Sequence, residues 1–324
     1  MNFANQELCT AGGIEAKLKA SDMEKQALSA VVELVEIAGA FKLEDILKHR
    51  VTEESLAIFN VNGTMRKCQK SKLIKSLTLN NISQPNDYTA LVDMGLIWQL
   101  ATPTTENKEK ADGSLYTWED YADKVFKLIL ERHPNAKRLI LINDTYKAPY
   151  SIKDSERLIR SGSKPVKNEF MKPKKNVSTA TEFHHLLSKP DEKVRLQKFL
   201  ETEFEKRTYE FNIEIIYTVV GEYSKNLLTH QPEPEMLCLH AEADTALFTI
   251  YNTLRISGYT KPIVLDTEDT DNYVQAVYVS NRCPGAMLIK RKNIYVNAQS
   301  LVKEVEVYTI IPLHILTGSD HTSG

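Results

Sequence analysis

The residues that most suggest chemistry are acidic, and they recur in three short stretches. HAEADT places Glu242 and Asp244 two positions apart, EDTD contains Asp269 and Asp271, and GSD contains Asp320. Side chains at positions i and i+2 of a regular helix point about 200° apart. Two such carboxylates therefore converge on one small ligand, such as a metal ion, only from an irregular first turn or from a strand end.

Two further acids follow apolar stretches that are typical of buried strands. Asp93 lies in DYTALVDMGLIWQL, where a strand is expected to pass into a helix, and Asp144 ends AKRLILIND. The carboxyl ends of parallel strands line the crevice in which open α/β sheets bind ligands. Asp93, Asp144 and the acids of the EDTD stretch are therefore expected at one edge of a sheet.

The seven acids together predict a cation site. Gathered at one edge, they would repel one another strongly in a low dielectric unless cations neutralised them. Their hard oxygen ligands, without an accompanying set of His or Cys residues, favour Mg²⁺ or Mn²⁺ over zinc. Two such ions can activate a water molecule and stabilise the leaving oxygen during phosphodiester cleavage. Each acid alone also has an ordinary interpretation, because helices often begin with Asp and DTD is common in turns.

The order of helix-like and strand-like stretches predicts an α/β fold in which a mainly parallel central sheet is flanked by helices. WEDYADKVFKLILER has the apolar spacing of an amphipathic helix over residues 118–132. A second helix is expected from ADTALFTIYNTLRISG, and others between residues 14 and about 58. Strands are expected within 87–93, 136–144, 211–221, 261–271 and 286–297.

The composition is that of an ordinary globular protein. Of 324 residues, 42% are hydrophobic and 26% are charged, and the net charge of −2 excludes a uniformly basic nucleic-acid binder. The four cysteines form no CxxC pair, which argues against a zinc ribbon or a disulfide scaffold and favours a reducing compartment. No apolar run approaches the roughly 18 residues that cross a bilayer, and the polar N-terminus is not a signal peptide. We therefore expect a soluble intracellular protein, nuclear or cytoplasmic.

Charge and pattern divide the chain into two predicted regions. Residues 1–80 are expected to form an N-terminal helical region and a basic linker, and residues 81–324 the α/β domain. The segment at about 145–205 is predicted to be a basic insertion, because residues 145–175 alone hold nine Lys and Arg against three Asp and Glu. Such a segment is either a solvated surface loop or a surface that attracts phosphates.

Three stretches in order, HAEADTA, DTEDTDNYV and LTGSDHTSG, resemble the active-site skeleton of the flap endonuclease-like group of PIN-like nucleases. That skeleton has an acid-x-acid pair that opens a helix, a strand that ends in D-x-D, and a later G-[SC]-D. ALVDMGLIWQL and LILIND are similar to the family's first two strands, each with a metal-site Asp. GTMRKCQKSKL and LHILTGSDHTS resemble a little-characterised, transposon-associated branch in invertebrates. The resemblance covers about residues 58 to 324.

The resemblance implies a PIN-like domain and a divalent-metal-dependent nuclease that hydrolyses phosphodiester bonds at 5′ flaps or single-stranded ends, with DNA favoured over RNA. It implies two Mg²⁺ or Mn²⁺ ions held for catalysis by seven carboxylates: Asp93, Asp144, Glu242, Asp244, Asp269, Asp271 and Asp320. The basic insertion would form an arch that steers single strands, with Lys153, Arg157 and Arg160 as its phosphate contacts. Arg suits this role because its guanidinium can grip a phosphate through two hydrogen bonds.

One departure and two alternatives accompany this hypothesis. The chain ends at Gly324, four residues after Asp320, where the family continues into a helical DNA-binding element, so we expect a truncated nuclease domain. The first alternative is a catalytically weak or inactive relative that binds nucleic acid or a protein partner. The second is a metal-dependent phosphatase with Asp266 as its nucleophile, although the D-x-D-x-T motif is absent there.

Overall fold

Most of the predicted α/β region is described by the computed structural model. The described residues all belong to one compact unit, Ile74–Ile310, and they are 81–103, 116–146, 180–211, 213–239, 242–283 and 285–304. Several sequence predictions lie outside these residues and stay predictions: the N-terminal helical region and linker, the first part of the basic insertion, Asp320, and the phosphate contacts Lys153, Arg157 and Arg160.

The strands of the described residues form one eight-stranded sheet. They are β1 (Asn81–Ile82), β2 (Tyr88–Asp93), β3 (Ala136–Asn143), β4 (Glu214–Val219), β5 (Tyr223–Asn226), β6 (Ile263–Asp266), β7 (Met287–Arg291) and β8 (Ile294–Asn297). Their order is β1-β8-β7-β6-β2-β3-β4-β5. The central strands β7, β6, β2, β3 and β4 run parallel, whereas β1–β8, β7–β8 and β4–β5 pair antiparallel. The predicted α/β class is confirmed, and the sheet is mixed.

Helices alternate with these strands along the chain. They are α1 (Met94–Leu100), α2 (Trp118–Arg132), α3 (Ala180–Leu187), α4 (Pro190–Thr208), α5 (Ala243–Ile256), α6 (Thr270–Ser280) and α7 (Ala298–Glu304). Within the described ranges, no helix combines the length and the apolar character needed to cross a membrane.

Both faces of the sheet are covered, because successive side chains of a strand point to opposite faces. On one face, Ala90, Val92 and Leu139 join a core with side chains from α1, α2, α3 and α4. On the other face, α5 contacts β2 and β3, and α6 packs against α5 and α7. Burial from two sides explains why the LILI run at 139–142 has no exposed surface at all.

Helix α2 shows how local sequence fixes an element that positions the site. Its bounds coincide with the predicted helix over 118–132, which is thereby confirmed. A capping box begins it: the Thr117 hydroxyl accepts from the Asp120 N–H at 3.3 Å, and the Asp120 carboxylate accepts from the Thr117 N–H at 2.8 Å. The helix ends at Arg132, and the chain then turns through His133 into β3.

A buried ion pair links the end of α2 to β6. Arg132 Nε donates to Asp266 Oδ2 at 2.8 Å and Arg132 Nη2 to Oδ1 at 2.5 Å. His133 Nε2 also lies 2.8 Å from Asp266 Oδ2, and its Nδ1 lies 3.2 Å from the Tyr88 hydroxyl. Burial alone would raise the pKa of Asp266, but the hydrogen bonds and charges of Arg132 and His133 override it and lower the pKa to about 2. Burial lowers the pKa of His133.

The same contacts exclude Asp266 as a phosphatase nucleophile. Its side chain has no exposed surface, and both carboxylate oxygens are already hydrogen-bonded to Arg132 and His133. A nucleophile must reach its substrate, and a side chain without exposed surface does not. The phosphatase alternative from the sequence is therefore wrong for this residue, and Asp266 serves the fold.

Replacing Asp266 should destabilise the protein strongly at neutral pH. Asp266→Asn leaves the largely buried Arg132 guanidinium without its counter-ion, which typically costs about 3–5 kcal/mol in free energy of unfolding. Asp87→Asn is the control, because Asp87 pairs with Lys261 at 2.6 Å on the surface and should lose less than about 1 kcal/mol. Urea unfolding at pH 7 measures both.

The pH dependence gives the same prediction a second readout. The folded pKa of Asp266 lies below its usual value of 3.8, so its contribution is present above about pH 4 and is lost as the pH falls towards 2. The difference in free energy of unfolding between the wild type and Asp266→Asn should therefore decrease as the pH falls from about 4 towards 2. Equal losses in Asp266→Asn and Asp87→Asn at pH 7 would contradict the ion pair's role.

Candidate functional site

A cavity of about 420 Å³ lies where β2 and β3 end and where α5 and α6 begin. Its acidic lining residues are Asp93, Asp144, Asp244, Glu268 and Asp269. All but Glu268 are among the acids predicted from the sequence, and they come from four separate segments of the chain. The structure therefore brings a large part of the predicted acidic set to one place.

The other predicted acids are not part of this lining. Glu242 is the N-cap residue of α5, and Asp271 lies in the first turn of α6. Glu242 directly precedes the lining residue Ala243, and Asp271 lies two residues after Asp269, but neither is among the residues that line the cavity. Asp320 lies outside the described residues.

Asp93 is both the last residue of β2 and the N-cap of α1. Its Oδ1 accepts a hydrogen bond from the Gly95 N–H at 2.8 Å, an ordinary capping interaction. A Cβ atom at Gly95 would stand 3.1 Å from that oxygen, so glycine relieves a close contact there. Burial raises the pKa of Asp93 well above its usual value, and the charges of Asp244 and Asp144 raise it further.

Asp144 directly follows β3 and joins three elements. Its Oδ1 accepts from the Ala243 N–H in the first turn of α5 at 2.7 Å, and its Oδ2 accepts from the Tyr146 hydroxyl at 3.2 Å. Its backbone carbonyl accepts from Gln197 Nε2 of α4 at 2.7 Å. The position of this carboxylate is therefore determined by β3, α4 and α5 together.

Asp244 enters the cavity from the first turn of α5, where the sequence requires an irregular start for the acid-x-acid pair. Its Oδ1 accepts from Asn272 Nδ2 at 2.8 Å. The same Asn272 nitrogen donates to the Thr267 hydroxyl at 2.7 Å, and Asn272 has no exposed surface. Asn272 therefore holds Asp244 to the segment that connects β6 with α6.

Asp269 begins α6 and also lines the cavity. Its Oδ1 accepts from the Asp271 N–H at 3.0 Å, as a helix N-cap does. The strand β6 ends at Asp266, so this D-x-D pair lies at the start of α6 and not at the strand end predicted from the sequence. Asp93 and Asp269 thus fulfil the ordinary capping interpretation and line the cavity at the same time.

The carboxylates share the cavity without forming a compact ligand group. In the part of the chain that the structure describes, no set of three or more His, Cys, Asp or Glu side chains is arranged to hold a metal ion. Electrostatic coupling of Asp93 with both Asp144 and Asp244 still places these three carboxylates within interaction range of one another.

Sequence reasoning missed several polar residues of this region. Tyr146 and Asn272 lie close to Asp144 and Asp271 in the sequence, but no local motif indicates that they contact the site acids. Lys193, which lines the cavity from α4, is 49 residues from Asp144 and carries no sequence signal. Only the position of α4, whose Gln197 is hydrogen-bonded to the Asp144 carbonyl after β3, brings Lys193 to the site.

Compared with known proteins, the sequence matches no protein-family model and no curated protein.

Neutralising one cavity acid should stabilise the metal-free protein. Asp244→Asn removes a charge that raises the pKa of Asp93, while the amide oxygen can still accept from Asn272. We expect a gain of about 1 kcal/mol in free energy of unfolding, or roughly 2–4 °C in Tm, in EDTA at pH 8. Glu242→Gln in the same turn is the matched control, because Glu242 does not contribute to that shift.

The gain should depend on pH. A carboxyl group whose folded pKa is raised stabilises the fold below its unfolded pKa and loses that contribution as the pH rises through the folded value. The benefit of Asp244→Asn should therefore be larger at pH 8 than at pH 4. A loss of stability at both pH values would show that Asp244 and Asp93 do not repel each other.

Proposed function

We propose that the chain is a divalent-metal-dependent nuclease that hydrolyses phosphodiester bonds, with 5′ flaps or single-stranded ends as its substrates. The observation that carries this proposal is the shared cavity of Asp93, Asp144, Asp244 and Asp269. Carboxylates from four separate segments meet there, as the resemblance to flap endonuclease-like proteins implies. We also propose that the protein acts inside the cell, because its four cysteines form no CxxC pair, as suits a reducing compartment.

The arrangement of the sheet supports a PIN-like domain. The strand β2 lies at the centre, flanked in parallel by β3 and β6. Asp93 ends β2 and Asp144 follows β3, so two of the acids lie at the carboxyl ends of neighbouring strands. In open α/β sheets that edge is where ligands bind.

The donor set fits Mg²⁺ or Mn²⁺. Carboxylate oxygens are the ligands that these hard cations prefer, and a cation between Asp93, Asp144 and Asp244 would relieve the repulsion that raises the pKa of Asp93. These three residues and Asp269 would hold the ions, with Glu242, Asp271 and Asp320 added by the resemblance. Bound there, a pair of such ions would supply an activated water and neutralise charge on the phosphate.

The protein's own groups would set the geometry of this reaction. The hydrogen bonds from Ala243 and Tyr146 orient the Asp144 carboxylate, and Asn272 orients Asp244. Such supporting contacts tune ligands and keep them in place. Lys153, Arg157 and Arg160 remain the proposed phosphate contacts of the insertion.

A second candidate is a nucleic-acid-binding relative without strong catalysis. It is favoured by one observation: over the described ranges, the acids are not gathered into a group of three that could hold a metal ion. Cleavage and binding assays on the same protein separate the two candidates.

Cleavage should require the cavity acids and a divalent ion. With a labelled 5′-flap substrate or a single strand, we expect cutting in Mg²⁺ or Mn²⁺ and none in EDTA. Asp269→Asn in the cavity and Asp271→Asn, which the resemblance adds, should each lower kcat by at least about 100-fold, because each carboxylate would help to hold the cations that neutralise charge on the phosphate. The measurement is product formation on denaturing gels, with DNA and RNA versions compared.

Asp191→Asn serves as the control, because Asp191 is an exposed acid at the start of α4 and does not line the cavity. A chain that binds the oligonucleotides but cuts none of them in any of several metals would refute the nuclease and establish the second candidate.

A further inference from the structure

Part of the cavity lining consists of residues that are not acidic. They are Leu96, Trp98, Gln99, Tyr146, Leu187 and Lys193. Lys193 is the cationic member of the lining, and its Nζ stands 4.6 Å from the centre of the Tyr146 ring. This distance is within the range of a cation–π interaction. The cavity lining therefore combines carboxylates with an aromatic ring and a positive charge.

Tyr146 contacts both an acidic and a basic residue of the lining. Its hydroxyl donates to Asp144 Oδ2 at 3.2 Å, while its ring lies against the ammonium of Lys193. The Asp144 carboxylate and the Lys193 ammonium are thus held at a set spacing through one side chain. The Lys193 ammonium can therefore contact an anion, such as a phosphate, that also contacts the cations proposed at the cavity carboxylates.

Helix α4 presents Lys193 from a rigid support. Leu196, Leu200 and Phe204 on the same helix have no exposed surface, and Gln197 donates to the Asp144 carbonyl at 2.7 Å. The backbone beneath Lys193 is therefore fixed relative to Asp144. Rigid elements place site residues more accurately than loops do.

We propose that Lys193, positioned by the ring of Tyr146, binds the phosphate of an unpaired nucleotide that enters this cavity. The inference rests on the proposed function and deepens it, because it assigns a substrate contact and a substrate class to the same site. Lys193 is separate from Lys153, Arg157 and Arg160, the contacts that the resemblance implies.

The size and chemistry of the cavity favour this occupant. About 420 Å³ is near the lower end of the range for small-molecule pockets, so the cavity takes one nucleotide unit and not stacked base pairs. Its apolar lining residues, such as Leu96 and Leu187, can contact a base or a sugar, and the Lys193 ammonium can contact the phosphate. The substrate end must therefore be single-stranded or frayed.

The test uses the full chain with Lys193→Gln, Lys193→Arg and Lys198→Gln. Lys198 is the matched control, because it is an exposed lysine on the same helix that does not line the cavity. Binding of a fluorescein-labelled single-stranded oligonucleotide is measured in Ca²⁺ over a range of salt concentrations, with the probe recovered intact. We expect Lys193→Gln to bind about ten-fold more weakly and to lower the slope of log K against log salt by about 1.

The control variants should behave differently. Lys193→Arg keeps the charge and should stay within about three-fold of the wild type, and Lys198→Gln should match it. Tyr146→Leu removes the ring that lies against the Lys193 ammonium and should weaken the Lys193-dependent binding. Adding Lys193→Gln to Tyr146→Leu should cause little further loss, because the two side chains act as one unit.

The outcomes separate this inference from the proposed function. If Lys193→Gln binds and cuts the oligonucleotide as well as the wild type does, the phosphate contact is refuted even if the nuclease is real. An equal loss of binding affinity in Lys198→Gln refutes it too. A wild type that cuts nothing, but whose binding depends on Lys193, refutes the nuclease and supports the contact. Thermal melts of each variant confirm that the fold is retained, and Lys193→Arg must restore binding for the inference to stand.

Discussion

Repulsion between carboxylates at the ends of β2 and β3 is the constraint on which this site depends. Asp93 has a raised pKa because it is buried and because Asp244 and Asp144 carry the same charge. Such an arrangement costs stability unless a cation offsets it. The buried apolar sheet and the ion pair of Asp266 stabilise the fold that tolerates it. The two acidic environments differ in kind: Asp266 is neutralised by Arg132 from the protein itself, whereas the cavity acids neighbour other acids.

Helix N-termini are the structural means by which the acids are held. Asp93, Glu242 and Asp269 are the N-cap residues of α1, α5 and α6, and the side chains of Asp93 and Asp269 accept capping hydrogen bonds. Backbone N–H groups at such ends favour negative charge, so they partly offset the repulsion between the carboxylates. Capping and ligand binding are therefore compatible roles. An acid that begins a helix at the carboxyl edge of a parallel sheet can serve the fold and the site together.

Local sequence patterns predicted helices and strands, whereas strand pairing and the contacts of the site depend on long-range packing. The helix over 118–132 and the strand that ends at Asp93 were predicted because their periodicity and capping lie within a few residues. The antiparallel pairing of β1 with β8 joins residues more than 200 positions apart, as with Asn81 and Val296, and no local pattern encodes it. The same holds for Lys193 beside Tyr146. The structural role of Asp266 could not be predicted, because its ion pair with Arg132 is a contact between distant segments.

The divalent cation proposed between Asp93, Asp144 and Asp244 can be observed directly. Anomalous diffraction from crystals of the full chain soaked in Mn²⁺ tests for it. We predict an anomalous peak in the cavity with oxygens of these carboxylates within about 2.5 Å. Manganese bound elsewhere, with the three side chains directed away from each other and the cavity empty, would contradict the account.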